Sequence, residues 1–132
     1  MPKVAADCVV FDSSGRVALI RRKKPPYQGS YALPGGFLKE DESVETACAR
    51  ETKEEVNLDI TNLRLVGVYS DPDKESRERI VGIAYLAEAD ASKLHAGTDA
   101  ESAEWVANWR EQQLAFNHHK VIEDAYALWK IR

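Results

Sequence analysis

The order of elements predicts an α+β fold with a mixed β-sheet between helices. Short apolar runs bounded by turn clusters alternate with only two helical segments, 43–56 and one near the C-terminus. A hairpin-like pair of runs precedes the first helix, and the two helices lie far apart in the chain. No internal repeat or low-complexity tract interrupts this order. At 132 residues the chain is expected to form one domain, 1–132, large enough to bury a true core.

Residues 4–11 are β-rich and run into Asp12-Ser13-Ser14-Gly15, a turn cluster, so 17–22 should return beside them as a hairpin. The stretch Lys23-Lys24-Pro25-Pro26-Tyr27-Gln28-Gly29 is a basic loop with one aromatic. A short strand at 31–33 then delivers the chain to Pro34-Gly35-Gly36, read as a turn that no helix can cross. Residues 43–56 hold no Pro or Gly and read as a helix capped by Asp41 or Ser43, with Asn57 as a left-handed stop. Strands follow at 63–69 and 80–86, separated by the polar loop 71–78. Residues 90–100 are loop, and 103–107 a short strand around Trp105. Asn117 caps a last helix in which Val121, Ile122, Ala125, Leu128 and Trp129 recur at helical spacing. Trp105, Trp109 and Trp129 read as core or rim packing.

The first helix carries the chemistry. Val44, Ala47 and Cys48 form an apolar stripe that should face a core, and continuing it leads to Glu51 and Glu55, with Glu54 at its edge. An unpaired buried carboxylate costs several kcal/mol or more, on the order of the penalty for stripping one ion of water. Positive charge must therefore sit among them. Three carboxylates at i, i+3 and i+4 facing a Gly-Gly segment make a hard-oxygen site suited to Mg²⁺ or Mn²⁺. Arg50 lies beside Glu54 on the helix and can hold or orient one of the acids.

Lys+Arg 18 against Asp+Glu 22 makes the chain mildly acidic with no long charge block, which argues against a nucleic-acid binder. No apolar run approaches membrane-spanning length, and MPKVAADCVVF carries no signal-peptide pattern, so a cytoplasmic protein without a membrane partner is expected. Cys8 and Cys48 fall on buried faces of different elements and read as reduced core thiols.

Gly36, five residues, Glu42, seven residues, then Arg50-Glu51-Thr52-Lys53-Glu54-Glu55-Val56-Asn57-Leu58 resembles the signature of the Nudix hydrolases. Thr52 stands where that family usually has an aliphatic residue, and Asn57 where it has Gly. Asn tolerates the left-handed conformation, so the turn should survive. The resemblance implies the Nudix α/β/α sandwich and Mg²⁺-dependent hydrolysis of a nucleoside diphosphate linked to another group. It further implies Glu51, Glu54 and Glu55 as metal ligands, the Gly35 carbonyl as a further ligand, and Gly36 and Glu42 as supporting residues. Arg50 would position a metal-binding acid. The base that activates water is left open between Glu51 and an acid of the later loop, where Asp99, Glu101 and Glu104 stand, with Asp99 also a metal candidate.

Of Arg21, Arg22, Lys23 and Lys24, one or two can reach a diphosphate, and Arg22 is the candidate. Tyr27 or Tyr31 is a candidate for base stacking, as is Phe116, with Asn117 for edge hydrogen bonds. Adjacent His118 and His119 cannot share a helix face, which disfavours a two-His metal site. SDPD with Pro72 fifteen residues after Asn57, RIVGIAYLAEA and LAFNHHKVIEDA resemble the ADP-ribose pyrophosphatase branch, although Asn117 stands where these relatives often have Asp. The expected substrate is thus ADP-ribose or a nucleotide sugar. The alternatives are a nucleoside triphosphate, oxidised or not, cleaved with release of pyrophosphate, or a non-catalytic nucleotide sensor, for whose DNA-binding domain the chain is expected to leave no room. A homodimer is compatible with the resemblance.

Overall fold

The computed structural model describes residues 1–72, 78–97 and 100–131. Its strands are β1 (Lys3–Val10), β2 (Val17–Arg21), β3 (Tyr31–Ala32), β4 (Gly35–Phe37), β5 (Thr61–Tyr69), β6 (Ile80–Glu88) and β7 (Ala103–Val106). Helix α1 (Val44–Val56) lies between β4 and β5, and α2 (His118–Trp129) follows β7. The strands form a mixed four-stranded sheet in the order β4-β1-β6-β5, in which β1 and β6 are parallel, and an antiparallel three-stranded sheet β3-β2-β7.

Two apolar layers explain why this chain makes these strands. On β1, Ala6, Cys8 and Val10 join Ala47, Cys48 and Val56 of α1, while Val9 and the following Phe11 join Val121, Ile122 and Ala125 of α2. On β2, Ala18 and Ile20 face the first layer and Val17 and Leu19 the second. Strands buried on both faces need apolar residues at every position, which is why both read as nearly unbroken hydrophobic runs. The helices thus cover opposite faces of the sheets, giving the expected α/β/α layering.

The expected hairpin of 4–11 with 17–22 is corrected. β1 already has β4 on one edge and β6 on the other, so β2 has no free edge to pair with and enters the second sheet. Only a Phe11–Val17 bridge remains. The corner between them is held by Asp12, whose carboxylate accepts from the N–H groups of Ser14 and Arg16 and from Arg16 Nε, with Gly15 at φ 85°. The Gly-Gly turn is also corrected, because Gly35 and Gly36 are a strand paired antiparallel with Asp7 and Ala6.

Ser43 is the N-cap of α1, its hydroxyl accepting from Thr46 N at 3.1 Å. Asn57 ends the helix at φ 62°, and its side-chain amide donates to the Lys93 carbonyl at 2.9 Å. Asn117 stands at the start of α2, but its side chain makes no capping hydrogen bond, contrary to expectation. Among the described residues no helix is long and apolar enough to cross a membrane, and Cys8 and Cys48 are buried free thiols.

Asn57 combines a left-handed backbone with a bond to a distant loop. Asn57→Ala is expected to lower the unfolding free energy by about 1–2 kcal/mol. Asn57→Gly, which restores the backbone freedom but not the bond, should lower it by about 1 kcal/mol or less. Urea denaturation of the three proteins checks both values, and equal losses would show that the backbone conformation contributes nothing.

Candidate active site

The site begins where β4 runs beside α1. The Gly35 N–H donates to Glu55 Oε1 at 2.7 Å, so one turn of helix is tied to one strand residue. A Cβ on Gly36 would lie 2.6 Å from the Glu51 carboxyl, and one on Gly35 would strike the Ala6 carbonyl. Both glycines are needed because carboxylate and backbone approach too closely for any side chain.

Arg50 organises the acids. Its Nε and Nη2 grip Glu42 at 2.6 and 2.9 Å, and its Nη1 donates to Glu51 at 2.6 Å and to Glu54 at 3.3 Å. The paired hydrogen bonds from Arg50 pull the Glu42 carboxyl down to about 2. Glu55 stands outside this grip. Burial pushes its carboxyl up to about 8, and Glu51 and Asp7 add to that against the opposing Gly35 N–H and Arg22.

The apolar stripe of α1 does not continue into the glutamates as expected. It runs through Cys48, Thr52 and Val56, and the Thr52 hydroxyl is satisfied by the Cys48 carbonyl at 2.7 Å. Glu51 and Glu55 flank that stripe half-buried, and the Glu54 side chain is 56% exposed.

Among the described residues no three His, Cys, Asp or Glu side chains converge on one point as metal ligands. Glu51 and Glu54 turn to Arg50, and Glu55 turns to Gly35. The donor chemistry nevertheless fits a divalent cation. It is all hard oxygen, the Gly36 gap leaves room beside Glu51, and Glu55 lacks a positive partner strong enough to keep it ionised.

A cleft of about 1340 Å³ opens from this cluster, lined by Glu55, Gly35 and Gly36, by Arg22 and Pro72, and by Phe116 and Asn117. Arg22 is aimed by two contacts: its Nε donates to the Pro26 carbonyl at 2.8 Å, and its guanidinium lies 4.9 Å over the Phe116 ring. Tyr27 packs on Phe116 with ring centroids 4.9 Å apart and does not line the cleft, so it supports rather than forms the wall. Both aromatics have positive φ, 62° and 53°, a conformation rare for bulky residues and concentrated at functional sites.

The later loop contributes less than expected. Glu101 is exposed and does not line the cleft. Glu104 is taken up by the Tyr31 hydroxyl at 2.9 Å and by Arg21 at 3.6 Å. Asp99 lies outside the described residues.

Two polar residues of the cleft, Asp7 and His118, were not among the expected site residues. Asp7, in the middle of β1, lines the cleft, and burial pushes its carboxyl up to about 7. Its signal was a lone acid inside an apolar strand. His118 is buried, its Nδ1 accepting from the Leu33 N–H at 3.0 Å, and burial, with Arg22 adding, pushes its imidazole down to about 4. Nothing in sequence separates it from exposed His119.

The profile of the NUDIX domain matches residues 1–127. An ADP-ribose pyrophosphatase of Methanocaldococcus jannaschii is 40% identical over 129 residues, 98% of this chain and 75% of that protein. The ADPR responsive transcriptional repressor NtrR of Acinetobacter baylyi is 26% identical over 96% of this chain, which spans 54% of the repressor's length. Among solved structures, a MutT/nudix family protein from Enterococcus faecalis superposes with a TM-score of 0.88 at 28% identity, covering 100% of this chain and 63% of that one. A MutT NUDIX hydrolase from Burkholderia pseudomallei gives 0.84 at 29% identity, covering 94% and 98%.

His118 sets a pH expectation. Between pH 6.5 and 4 the unfolded chain takes up a proton at this imidazole that the folded chain refuses, so this group makes stability fall as the pH drops. The full effect is up to about 3 kcal/mol. Asp7 and Glu55 act with the opposite sign, since the fold holds both protonated toward pH 7 and 8. Subtracting the stability of His118→Asn isolates the imidazole. The advantage of the parent over that variant should shrink as pH is lowered from 6.5 to 4 in urea denaturation, and a constant difference would refute it.

Proposed function

This chain belongs to the NUDIX domain family, and from that premise we propose that it is a Mg²⁺-dependent pyrophosphohydrolase of a nucleoside diphosphate derivative, with ADP-ribose as its substrate. The observation that carries this reading is the glutamate cluster of α1, gathered by Arg50 against Gly35 and Gly36 and opening on a cleft with Arg22. The 40% identity to an ADP-ribose pyrophosphatase supports the substrate.

A diphosphate brings negative charge that repels both the attacking water and the glutamates. Glu51, Glu54 and Glu55 would hold a Mg²⁺ ion, which would supply charge offset at the phosphates and acidify water. The rest falls to the chain's own groups. Arg22, anchored by Pro26 and Phe116, presents a guanidinium to the phosphates without having to be ordered on binding. Arg50 is fully engaged by three carboxylates, so it acts as a positioning residue that keeps Glu51 and Glu54 oriented, with Glu42 anchoring it. Glu51, packed on Gly36 beside the Glu55–Gly35 contact, is the acid we assign to take the proton of the attacking water. Phe116 and the uncapped Asn117 supply a stacking face and an amide for the base, and Pro72 closes part of the wall.

A sensor reading draws support from the likeness to the Acinetobacter repressor. Turnover decides between them. With Mg²⁺, ADP-ribose should be hydrolysed to two monophosphates faster than nucleoside triphosphates are cleaved, and EDTA should abolish the reaction. Binding without turnover would favour the sensor. Glu54→Gln and Glu55→Gln should each lower kcat by roughly two orders of magnitude with unchanged thermal stability, since the cluster stabilises charge in the transition state. Unaltered kcat in either would remove that residue from the ligand set. Pro72→Ala should change the ratio of kcat/KM between ADP-ribose and triphosphate substrates more than it changes the melting temperature, and parent-like selectivity would leave Pro72 an ordinary turn residue.

A further inference from the structure

The floor of the cleft carries a polar pair that the hydrolytic cluster does not use. Asp7 projects from β1 with its side chain 16% exposed. Among the described residues no group donates a hydrogen bond to its carboxylate, and His118 Nε2 lies 3.7 Å from Oδ2. That separation is too long for a hydrogen bond. Glycines flank the carboxylate on both sides: a Cβ on Gly35 of β4 would sit 2.5 Å from Oδ1, and one on Gly82 of β6 would sit 3.5 Å from Oδ2. At these two flanks no side chain stands between the carboxylate and its neighbours. Glycine inside a strand marks a place where another group must come close.

His118 is held in one orientation and one tautomer. Its Nδ1 accepts from the Leu33 N–H at 3.0 Å, so the ring proton resides on Nε2, directed at Asp7. The two side chains thus present an acceptor and a donor side by side at the cleft floor. Above about pH 7, where Asp7 is ionised, a phosphate does not fit there, because the carboxylate would repel it. An apolar group would leave both Asp7 and the Nε2–H unsatisfied, which costs more than the contact returns. A pair of adjacent hydroxyls fits: one donates to Asp7 and the other accepts from Nε2.

Gly35 locates the pair relative to the chemistry, since it touches Asp7 and also donates its N–H to Glu55. We infer that Asp7 and His118 form a hydroxyl-reading pair that recognises the vicinal diol of a sugar attached directly to the diphosphate, and so select sugar-bearing diphosphates over other diphosphate esters. This rests on the reading that the diphosphate lies between the α1 glutamates and Arg22.

The test measures affinity by calorimetry, with Ca²⁺ replacing Mg²⁺ to hold back turnover, for ADP-ribose and for the methyl ester of ADP, which has no sugar on its terminal phosphate. The parent should prefer ADP-ribose by at least about tenfold, as sites built around buried polar partners do. In Asp7→Ala, and in His118→Asn, whose shorter amide can still accept from Leu33 N–H, that preference should collapse to within about twofold to threefold. Asp7→Asn, which keeps one acceptor oxygen in place, should recover part of it. A parent with no preference, including one that binds neither compound, overturns the inference. So do folded variants, matched to the parent by near-ultraviolet circular dichroism, that retain the preference. Hydrolysis of ADP-ribose by the parent is read separately. Its absence alongside an intact preference would end the catalytic reading and uphold the pair.

Discussion

One guanidinium holds the active end of this molecule together. Arg50 makes hydrogen bonds to Glu42, Glu51 and Glu54, so three like charges sit within a few ångströms of a single positive group. Without it, mutual repulsion would splay these acids into solvent, where exposed ion pairs contribute little. Glu42 makes the arrangement rigid, because its two-point contact fixes the plane of the guanidinium. From that fixed plane the remaining nitrogen aims Glu51 at the Gly36 backbone and restrains Glu54.

The second constraint is the close approach of β4 to both β1 and α1. Gly35 and Gly36 permit it, and nothing larger could, since each missing Cβ would fall on a carboxylate or a carbonyl. The gap at Gly36 admits Glu51, and the gaps at Gly35 and Gly82 admit the Asp7 carboxylate at the bottom of the cleft. Strand pairing and site construction are therefore one event: Asp7 faces Gly35 because the β1–β4 register puts them opposite each other, and Glu55 is held at the site because the Gly35 N–H donates to it. The cleft wall on the other side depends on Phe116, which lies under Arg22 and packs on Tyr27, both aromatics holding positive φ. Backbone strain of that sort persists only where surrounding packing over-determines it.

Local chemistry made much of this legible before any coordinates. The helix from Val44 to Val56, its Ser43 cap and its Asn57 stop follow from side-chain propensities acting over a few residues. The spacing of Gly36, Glu42, Arg50, Glu51, Glu54 and Glu55 is meaningful because one helix turn and one strand fix their relative positions. Where local rules were extended further they misled. The run 17–22 looked like the partner of 4–11, yet the edges of β1 were filled from distant parts of the chain, by β4 and β6. Asn117 has the composition of a cap and makes no capping bond.

The amino-acid sequence by itself determined the two helices, most of the strand runs and the acidic character of the first helix, because periodicity and turn chemistry are short-range properties. The α/β/α layering came as what the resemblance to the Nudix hydrolases implies. Only the tertiary structure decided which side chains share the cleft. It paired Asp7 with His118 across 111 positions, set Arg22 on Phe116, and left Glu101 outside. The physical reason is that such contacts depend on strand register and on which sheet edges remain open, and these are settled by competition among all the strands at once.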